Sequence, residues 1–266
     1  LARLEPNELL VPDRLLAREA LGPALRDKQA ILTPLASSRF DSDNARRRLE
    51  TLFGVGTLAG FASYGRAEIA ACGALLDYVE LTQAGKLPCL SPPQRQSSGD
   101  TMEIDAATRR NLEIGRGLEG GRAGSLLATI DRTLTGPGAR LLAARLASPL
   151  TDARAICERH DALAFFVEDP ARRQAVREAL RKCPDLERAL SRIALGRGGP
   201  RDLAAIREGL RQGTALGLTL RQMNLPTALQ TATRALQGHD ALVGELDKAL
   251  AEELPLLARD GGFVAK

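Results

Sequence analysis

The sequence predicts a mainly α-helical protein built from packed helical hairpins and preceded by a small α/β part. Leucine supplies 46 of the 266 residues, whereas valine and isoleucine together supply 15. This balance favours helices, because strands prefer β-branched and aromatic side chains while leucine suits a helix. Apolar residues also recur at helical spacing from Arg66 to Leu257. Strands are therefore expected only in short pieces.

The first 64 residues predict the α/β part. Two short apolar runs, Leu9–Val11 and Ala30–Leu32, lie close to prolines and are predicted as strands. Polar residues suited to helix capping then precede a predicted helix over 44–53. The glycines that follow are spaced like a hinge: Gly54, Gly56, Gly60 and Gly65. We therefore predict an α/β part over 1–64 and a helical part over 65–266.

Helices dominate the second part. An apolar stripe predicts a helix over 66–84, a second runs through Arg109 and Leu112, and two later helices begin near Pro226 and Asp240. Five other helix starts are predicted, at Ser125, Ala139, Asp152, Pro170 and Asp185. Thr151-Asp152 is predicted to cap its helix, and the turn Thr135–Gly138 precedes the helix over 139–146. Two short extended segments are expected, at Met102–Ile104 and Phe263–Ala265.

One antiparallel helical hairpin is predicted over residues 184–210. Glycines at Gly196–Gly199 break an amphipathic helix, and Pro200 favours the first turn of the next one. A short glycine turn between two amphipathic helices is typical of an antiparallel pair. We expect Leu190 and Leu203 to face each other across this turn and to be largely buried.

Composition and charge exclude several classes of protein. The net charge is +4, and the arginines are interleaved with acids, which favours solvated helix faces over a dedicated nucleic-acid groove. Aromatic residues are 3% of the chain, so a base-stacking platform is not expected. The sequence contains no run of about 18 apolar residues, so no membrane span is predicted. The chain begins without Met or a signal peptide, and we expect a cytoplasmic internal fragment of a longer protein.

No group of residues predicts a catalytic, cofactor or metal site, and DNA-binding residues are not identified. Gly115–Gly120 spells GxGxxG, but a predicted helix precedes it where a dinucleotide site needs a strand, so a mobile loop is favoured. Cys157 and His160 lie three residues apart on one helix, and a metal site there lacks a third ligand. The four cysteines are expected to be reduced and mostly buried. His160 and His239 are the only histidines, and no serine is predicted to pair with either.

Eight segments follow one another in the order found in the MutS family of DNA mismatch repair proteins, and the resemblance spans nearly the whole chain. These segments are Asp105–Ile114, Gly124–Leu127, Asp131–Thr133, Pro149–Asp152, Pro184–Arg188, Arg192–Leu195, Gly199–Leu203 and Arg259–Gly262. The resemblance implies that residues 1–64 are the end of an RNase-H-like connector domain. It also implies that residues 65–266 are the first half of a helical core, or lever, domain.

The resemblance implies a function as well. It implies a non-catalytic structural and allosteric segment, which couples mismatched-DNA binding to the nucleotide-binding domain of a larger protein. The implied partners are the remaining domains of that protein, mismatched double-stranded DNA, a MutL-like protein and a second copy. ATP and Mg²⁺ would bind elsewhere in the full-length protein, which is a DNA-dependent ATPase in this family, and no family catalytic residue maps onto this chain. Two alternatives remain open: a helical protein–protein interaction scaffold and a non-specific nucleic-acid-binding helical module, both unrelated to repair.

Overall fold

The structure is a computed structural model that describes residues 3–18, 25, 28–95 and 99–265. The chain divides into two compact units, Leu1–Ser97 (unit 1) and Ser98–Lys266 (unit 2). Unit 1 is a small α/β unit and unit 2 is helical, so the predicted fold class is confirmed.

Two short parallel strands form the sheet of unit 1. Strand β1 (Leu9–Pro12) pairs with β2 (Leu32–Leu35), with Leu9 opposite Leu32. The first strand lies where it was predicted, but the second begins at the end of its predicted run. The amide of Ile31 donates to the carbonyl of Lys28 at 2.9 Å, which closes a 3₁₀ turn and keeps the preceding residues out of the ladder.

Three described helices of unit 1 complete this architecture. A single turn, α1 (Asp13–Leu16), follows β1 directly. Helix α2 (Ser42–Phe53) begins where Asp41 accepts the amide of Asn44 at 2.7 Å. Glycine 54 ends α2 in the left-handed conformation, with φ of 64°, which is the usual glycine C-cap. Helix α3 (Arg66–Thr82) stops two residues earlier than predicted.

The core of unit 1 lies between α2 and α3. Its buried residues are Ala45, Leu49, Leu58, Ile69 and Leu76. The two helices approach so closely at Gly73 that a Cβ there would lie 2.2 Å from Cβ and 2.8 Å from Cα of Ala45. Helix α3 packs on α2, and both belong to unit 1, which extends to Ser97. The predicted division between residues 64 and 65 therefore lies within unit 1.

Replacing Gly73 by alanine is expected to lower the free energy of unfolding by about 1–3 kcal/mol, because the added methyl group meets the backbone of α2. The matched control is Gly244→Ala, since nothing lies within 4 Å of a Cβ at that helical glycine. The control is expected to stabilise the chain by up to about 1 kcal/mol through helix propensity. Urea unfolding measures both, and equal effects of the two variants would contradict the close approach.

Unit 2 consists of helices joined by short loops. Its described helices are α4 (Ala106–Asn111), α5 (Leu126–Ile130), α6 (Gly136–Ala147), α7 (Ala153–Val167), α8 (Pro170–Arg181), α9 (Leu186–Ala194), α10 (Pro200–Arg221), α11 (Thr227–Ala235) and α12 (Asp240–Ala249). The helix starts predicted at Ser125, Asp152, Pro170 and Asp185 are confirmed, and a side chain accepts a backbone amide in the first turn of each. The helix predicted from Ala139 begins earlier, at Gly136, because Thr135 caps it by accepting the amide of Gly138 at 3.1 Å.

The two extended segments predicted for unit 2 differ in outcome. Met102–Ile104 forms no strand, and the residue before it, Thr101, forms a single bridge with Leu150. The run is too short to extend the pairing past the bond from the Met102 amide to the carbonyl of residue 149. Near the end of the chain, Val264 bridges to Leu250, which confirms the extended segment there.

The predicted hairpin is present as α9 and α10, but the burial predicted for Leu190 and Leu203 was wrong. Leu190 is 50% exposed, whereas Ala189 is fully buried. The stripe that packs on α10 contains Leu186, whose side chain lies against the backbone of Gly209. Glycine there lets the two helices approach closely. Leu190 lies about 40° round the helix from Leu186, on the side away from buried Ala189, and is therefore at the edge of this face. Leu203 is half-buried, so neither leucine is the large core residue that was expected.

Candidate functional site

Helix α10 is the centre of unit 2. It contacts α8, α9, α11 and α12. Its end packs in a core whose fully buried members are Phe165, Leu216, Leu220 and Leu225. The most specific geometry in unit 2 is a set of ion pairs between helices, which falls into three groups. We call this set the interhelix ion pairs: Arg140 with Asp185 and Glu187, Arg192 with Asp202, and Arg207 and Arg211 with Asp247.

The first of these pairs ties α6 to the start of α9. The guanidinium of Arg140 donates to both carboxylate oxygens of Asp185, at 2.8 and 3.0 Å, and to Oε2 of Glu187 at 2.7 Å. Asp185 also caps α9 by accepting the amide of Arg188 at 3.2 Å. The hydrogen bonds from Arg140 lower the pKa of the Asp185 carboxyl below its ordinary value.

The second pair closes the hairpin. Arg192 near the end of α9 donates through Nε to Oδ1 of Asp202 at 2.8 Å, and Asp202 lies in the first turn of α10. The other carboxylate oxygen of Asp202 accepts the amide of Gly199 at 3.0 Å. Hydrogen bonding to Arg192 lowers the pKa of Asp202. One carboxylate therefore holds both the turn and the opposite helix.

The third pair joins the middle of α10 to α12. Nη2 of Arg211 donates to both oxygens of Asp247, at 2.6 and 2.8 Å. Arg207, one turn earlier, lies 3.5 Å from the same carboxylate. The hydrogen bond from Arg211 lowers the pKa of Asp247.

These pairs orient the helices more than they stabilise the fold. Half-exposed ion pairs contribute on the order of 0–1 kcal/mol each, because water screens them and long side chains lose entropy. A bidentate pair between a guanidinium and a carboxylate nevertheless fixes a geometry. Helices α6, α9, α10 and α12 are therefore held in one register by side chains outside the apolar core.

Sequence reasoning missed these partners. Asp185 was predicted at a helix start, and it caps α9. The partners are 45, 10 and 36 positions apart, so no local pattern identifies them. The only available signal was acids at helix starts in a chain rich in arginine.

The ion pair at Asp185 predicts a pH dependence. A carboxyl whose pKa is lowered in the folded state adds stability above its ordinary pKa, and this contribution is lost as the pH falls through the lowered value. We expect the free energy of unfolding to fall below about pH 4, and to fall less in Asp185→Asn, which keeps a capping oxygen without the charge. Urea unfolding at pH 7 and pH 3 measures the difference, with Glu253→Gln as the control. Parallel pH profiles for all three proteins would contradict this role of Asp185.

The GxGxxG loop is not arranged to bind a phosphate. It follows helix α4, and its amides bond within the loop: Gly117 to the carbonyl of Gly121 at 2.8 Å, and Gly120 to that of Gly117 at 2.9 Å. The amide of Leu118 donates to Oε1 of Glu113 at 2.7 Å. Three amides of the loop are therefore occupied, and a helix precedes the loop where a dinucleotide site needs a strand.

The remaining sequence candidates are separate from one another. Cys157 and His160 are both exposed, and no group of three metal-binding side chains occurs among the described residues. The hydroxyl of buried Ser125 donates to the carbonyl of Arg122 at 2.7 Å and acts as a helix cap. The expectation of mostly buried thiols was wrong: Cys89 is also exposed, and the other two are half-buried. Cys89 follows the last turn of α3 in a loop, where side chains have few neighbours to cover them.

No helix in the described ranges has both the length and the apolar character needed to cross a bilayer. The architecture is thus a small α/β unit followed by a helical scaffold whose helices are held by ion pairs. Two family descriptions match the chain in this order: MutS domain II over residues 1–91 and MutS domain III over 107–266. The chain belongs to the MutS family of DNA mismatch repair proteins.

Similar proteins carry the same description. The chain is 53% identical over 266 residues to the DNA mismatch repair protein MutS of Cereibacter sphaeroides, and 53% identical over 265 residues to that of a Ruegeria species. It is 52% identical over 266 residues to the protein of Rhodopseudomonas palustris. The alignments cover 99–100% of this chain but 29–30% of each relative, so the chain spans about a third of their length.

Proposed function

We propose that this chain is the structural segment through which a MutS-type mismatch repair protein couples binding of mismatched DNA to its nucleotide-binding domain. The observation that carries the proposal is the set of interhelix ion pairs around α10, which holds four helices in one register. Close-packed helices with fixed pairing transmit a displacement, because such interfaces switch between discrete arrangements and do not deform gradually.

The larger protein supplies the remaining components in this proposal. ATP and Mg²⁺ bind in another domain, and the mismatch is recognised by another domain. A MutL-like protein and a second copy of the protein are its expected partners, and the cytoplasm is its expected location. Membership of the family argues against both alternatives that are unrelated to repair, the interaction scaffold and the independent nucleic-acid module.

The isolated chain is therefore expected neither to hydrolyse ATP nor to distinguish mismatched from paired duplex. Titration of matched and G·T-mismatched oligonucleotides at two salt concentrations tests this expectation, together with phosphate release from ATP. A tenfold preference for the mismatch, about 1.4 kcal/mol, would place recognition within residues 1–266. Either that preference or ATP hydrolysis by the isolated chain would contradict the proposal that both activities belong to other domains of the larger protein.

A chimera tests the coupling itself. This chain replaces the matching segment of the Cereibacter sphaeroides protein, and the stimulation of ATP hydrolysis by mismatched DNA is measured. The double variant Asp202→Asn and Asp247→Asn removes two of the interhelix ion pairs. We expect it to reduce the stimulation at least threefold, because the helices then lose their fixed register, and to leave the basal rate unchanged.

The control for this experiment is Glu252→Gln with Glu253→Gln, which removes the same charge from two exposed positions of unit 2. Full stimulation in the aspartate double variant would contradict the proposal. An equal loss in both double variants would also contradict it, since the effect would then follow net charge and not the register of the helices.

A further inference from the structure

Helix α8 carries a row of arginines on one face. Arg173, Arg177 and Arg181 follow one another at intervals of four residues, so they lie about 6 Å apart along the helix axis. We call these three residues the α8 stripe. Arg177 donates through Nη1 to the carbonyl of Arg132 at 3.0 Å, which places a fourth arginine residue beside the stripe.

The charges of the stripe are not neutralised. Arg173 donates to the carbonyls of Phe166 at 3.0 Å and Val167 at 3.3 Å, and Arg177 donates to that of Arg132. The negative end of the α7 dipole offsets part of the charge of Arg173, but neither guanidinium is paired with a carboxylate. Among the described residues of unit 2, no carboxylate forms an ion pair with any member of the stripe. The stripe differs in this respect from Arg140, Arg192 and Arg211, each of which binds an acid on another helix.

Three of the four acids near the stripe are engaged elsewhere. Glu178, on the same helix, accepts Nε2 of Gln174 at 2.7 Å. Asp131 precedes Arg132 and pairs with Arg122, and Asp169 pairs with Arg172 at 3.2 Å. Glu168 forms no ion pair among the described residues and lies in the turn before α8. The stripe is therefore a local excess of positive charge within a chain whose charges are otherwise interleaved.

The stripe is also held in place. A different face of α8, formed by Val176, Ala179 and Leu180, packs against the core that contains Phe165 and Leu216. The guanidinium of Arg172 lies 3.9 Å from the centre of the Phe165 ring and anchors the first turn. Ordered cations on an anchored helix lose less side-chain entropy on binding than cations on a loop.

We propose that the α8 stripe is a contact surface for the phosphate backbone of duplex DNA. Arginine matches phosphate geometry with two parallel donors. The three arginines span about 12 Å along the helix axis, and over such a length one strand of a duplex presents a phosphate about every 3.4 Å of its axis. The low aromatic content disfavours stacking on single-stranded bases. This surface goes beyond the proposed coupling, because it assigns a DNA contact to the helical unit itself.

Binding of a fluorescent 30-base-pair matched duplex to the full 266-residue chain tests the proposal, across a series of salt concentrations. The test variant replaces Arg173, Arg177 and Arg181 by glutamine, which keeps an amide donor for the carbonyl bonds. We expect at least a tenfold loss of affinity. The slope of log K against log salt should fall by about 2.7, from about 0.9 for each of three phosphate contacts. A matching lysine triple should retain the slope, because it keeps the charges.

The matched control replaces Arg197, Arg221 and Arg234 by glutamine. These arginines are exposed, lie apart from one another in unit 2 and have no ion pair among the described residues, so the net charge changes equally. We expect less than a threefold loss of affinity. Circular dichroism verifies that each triple variant is folded, and the lysine triple provides the readout if the glutamine triple does not fold.

Three outcomes would overturn the proposal. Equal losses in the stripe and control triples would mean that binding follows net charge alone. Tighter binding of poly-glutamate than of the duplex, lost in the stripe triple, would identify an acidic protein as the better ligand. Tighter binding to vesicles containing phosphatidylserine than to the duplex, lost in the stripe triple, would identify a membrane surface as the better ligand. Because the chain is tested alone, none of these outcomes bears on coupling in the larger protein, which the chimera measures.

Discussion

Phe165→Ala is expected to lower the free energy of unfolding by about 3–5 kcal/mol, the largest effect of any single substitution proposed for unit 2. Phe165 lies on α7 and is 9% exposed, and its neighbours Leu216 and Leu220 lie on α10. Its ring packs edge-to-face on Phe166, with centroids 5.1 Å apart, and lies under the guanidinium of Arg172. Truncation removes the aromatic and cation contacts and leaves a cavity between the helices.

Urea unfolding followed by circular dichroism measures the loss in Phe165→Ala. The matched control is Leu163→Ala, because Leu163 lies on the same helix and is 62% exposed. An exposed side chain contributes within about 0.5 kcal/mol. Comparable losses in the two variants would mean that α7 buries a different face from the one described.

Leu58→Ala is expected to cost about 2–5 kcal/mol in unit 1. Leu58 is 1% exposed and belongs to the cluster that joins α2 and α3. Its place in a 3₁₀ turn after α2 means that its loss also loosens the connection into α3. Small cores have few residues to share such a loss.

Tyrosine fluorescence identifies this transition, because both tyrosines of the chain, Tyr64 and Tyr78, lie in unit 1. The urea midpoint of that signal should fall clearly in Leu58→Ala. It should change little in the control Leu75→Ala, whose side chain is 56% exposed. An unchanged midpoint in Leu58→Ala would show that Leu58 is not part of the core.

Local chemistry explains which elements were predictable from sequence. The helix starts at Ser125, Asp152, Pro170 and Asp185 were predicted because a capping side chain or a proline acts within its own turn. The strand at Leu9 was predicted from another local signal, a short apolar run that ends at Pro12. The order of the helices needed only apolar spacing and the glycine and proline residues between them.

The elements that were missed depend on contacts between distant residues. Leu190 and Ala189 are adjacent, and periodicity alone cannot decide which of them faces a partner helix. The decision comes from the close approach of Leu186 to Gly209, which requires both helices. The ion pairs were missed on the same grounds, since Arg140 and Asp185 share no local pattern. The sequence shows the spacing of the arginines in the α8 stripe, but only the structure shows that no carboxylate of the described residues pairs with them.

The exposed thiols have an experimental consequence. Burial raises the pKa of Cys72 and of Cys183, which makes these thiols slow to react at neutral pH. Cys89 and Cys157 are exposed, one in each compact unit. The natural sequence thus provides one accessible attachment point for a spectroscopic label in each unit. A chain with a spin label on each of these cysteines would report the distance between the units by double electron–electron resonance, with no engineered cysteine.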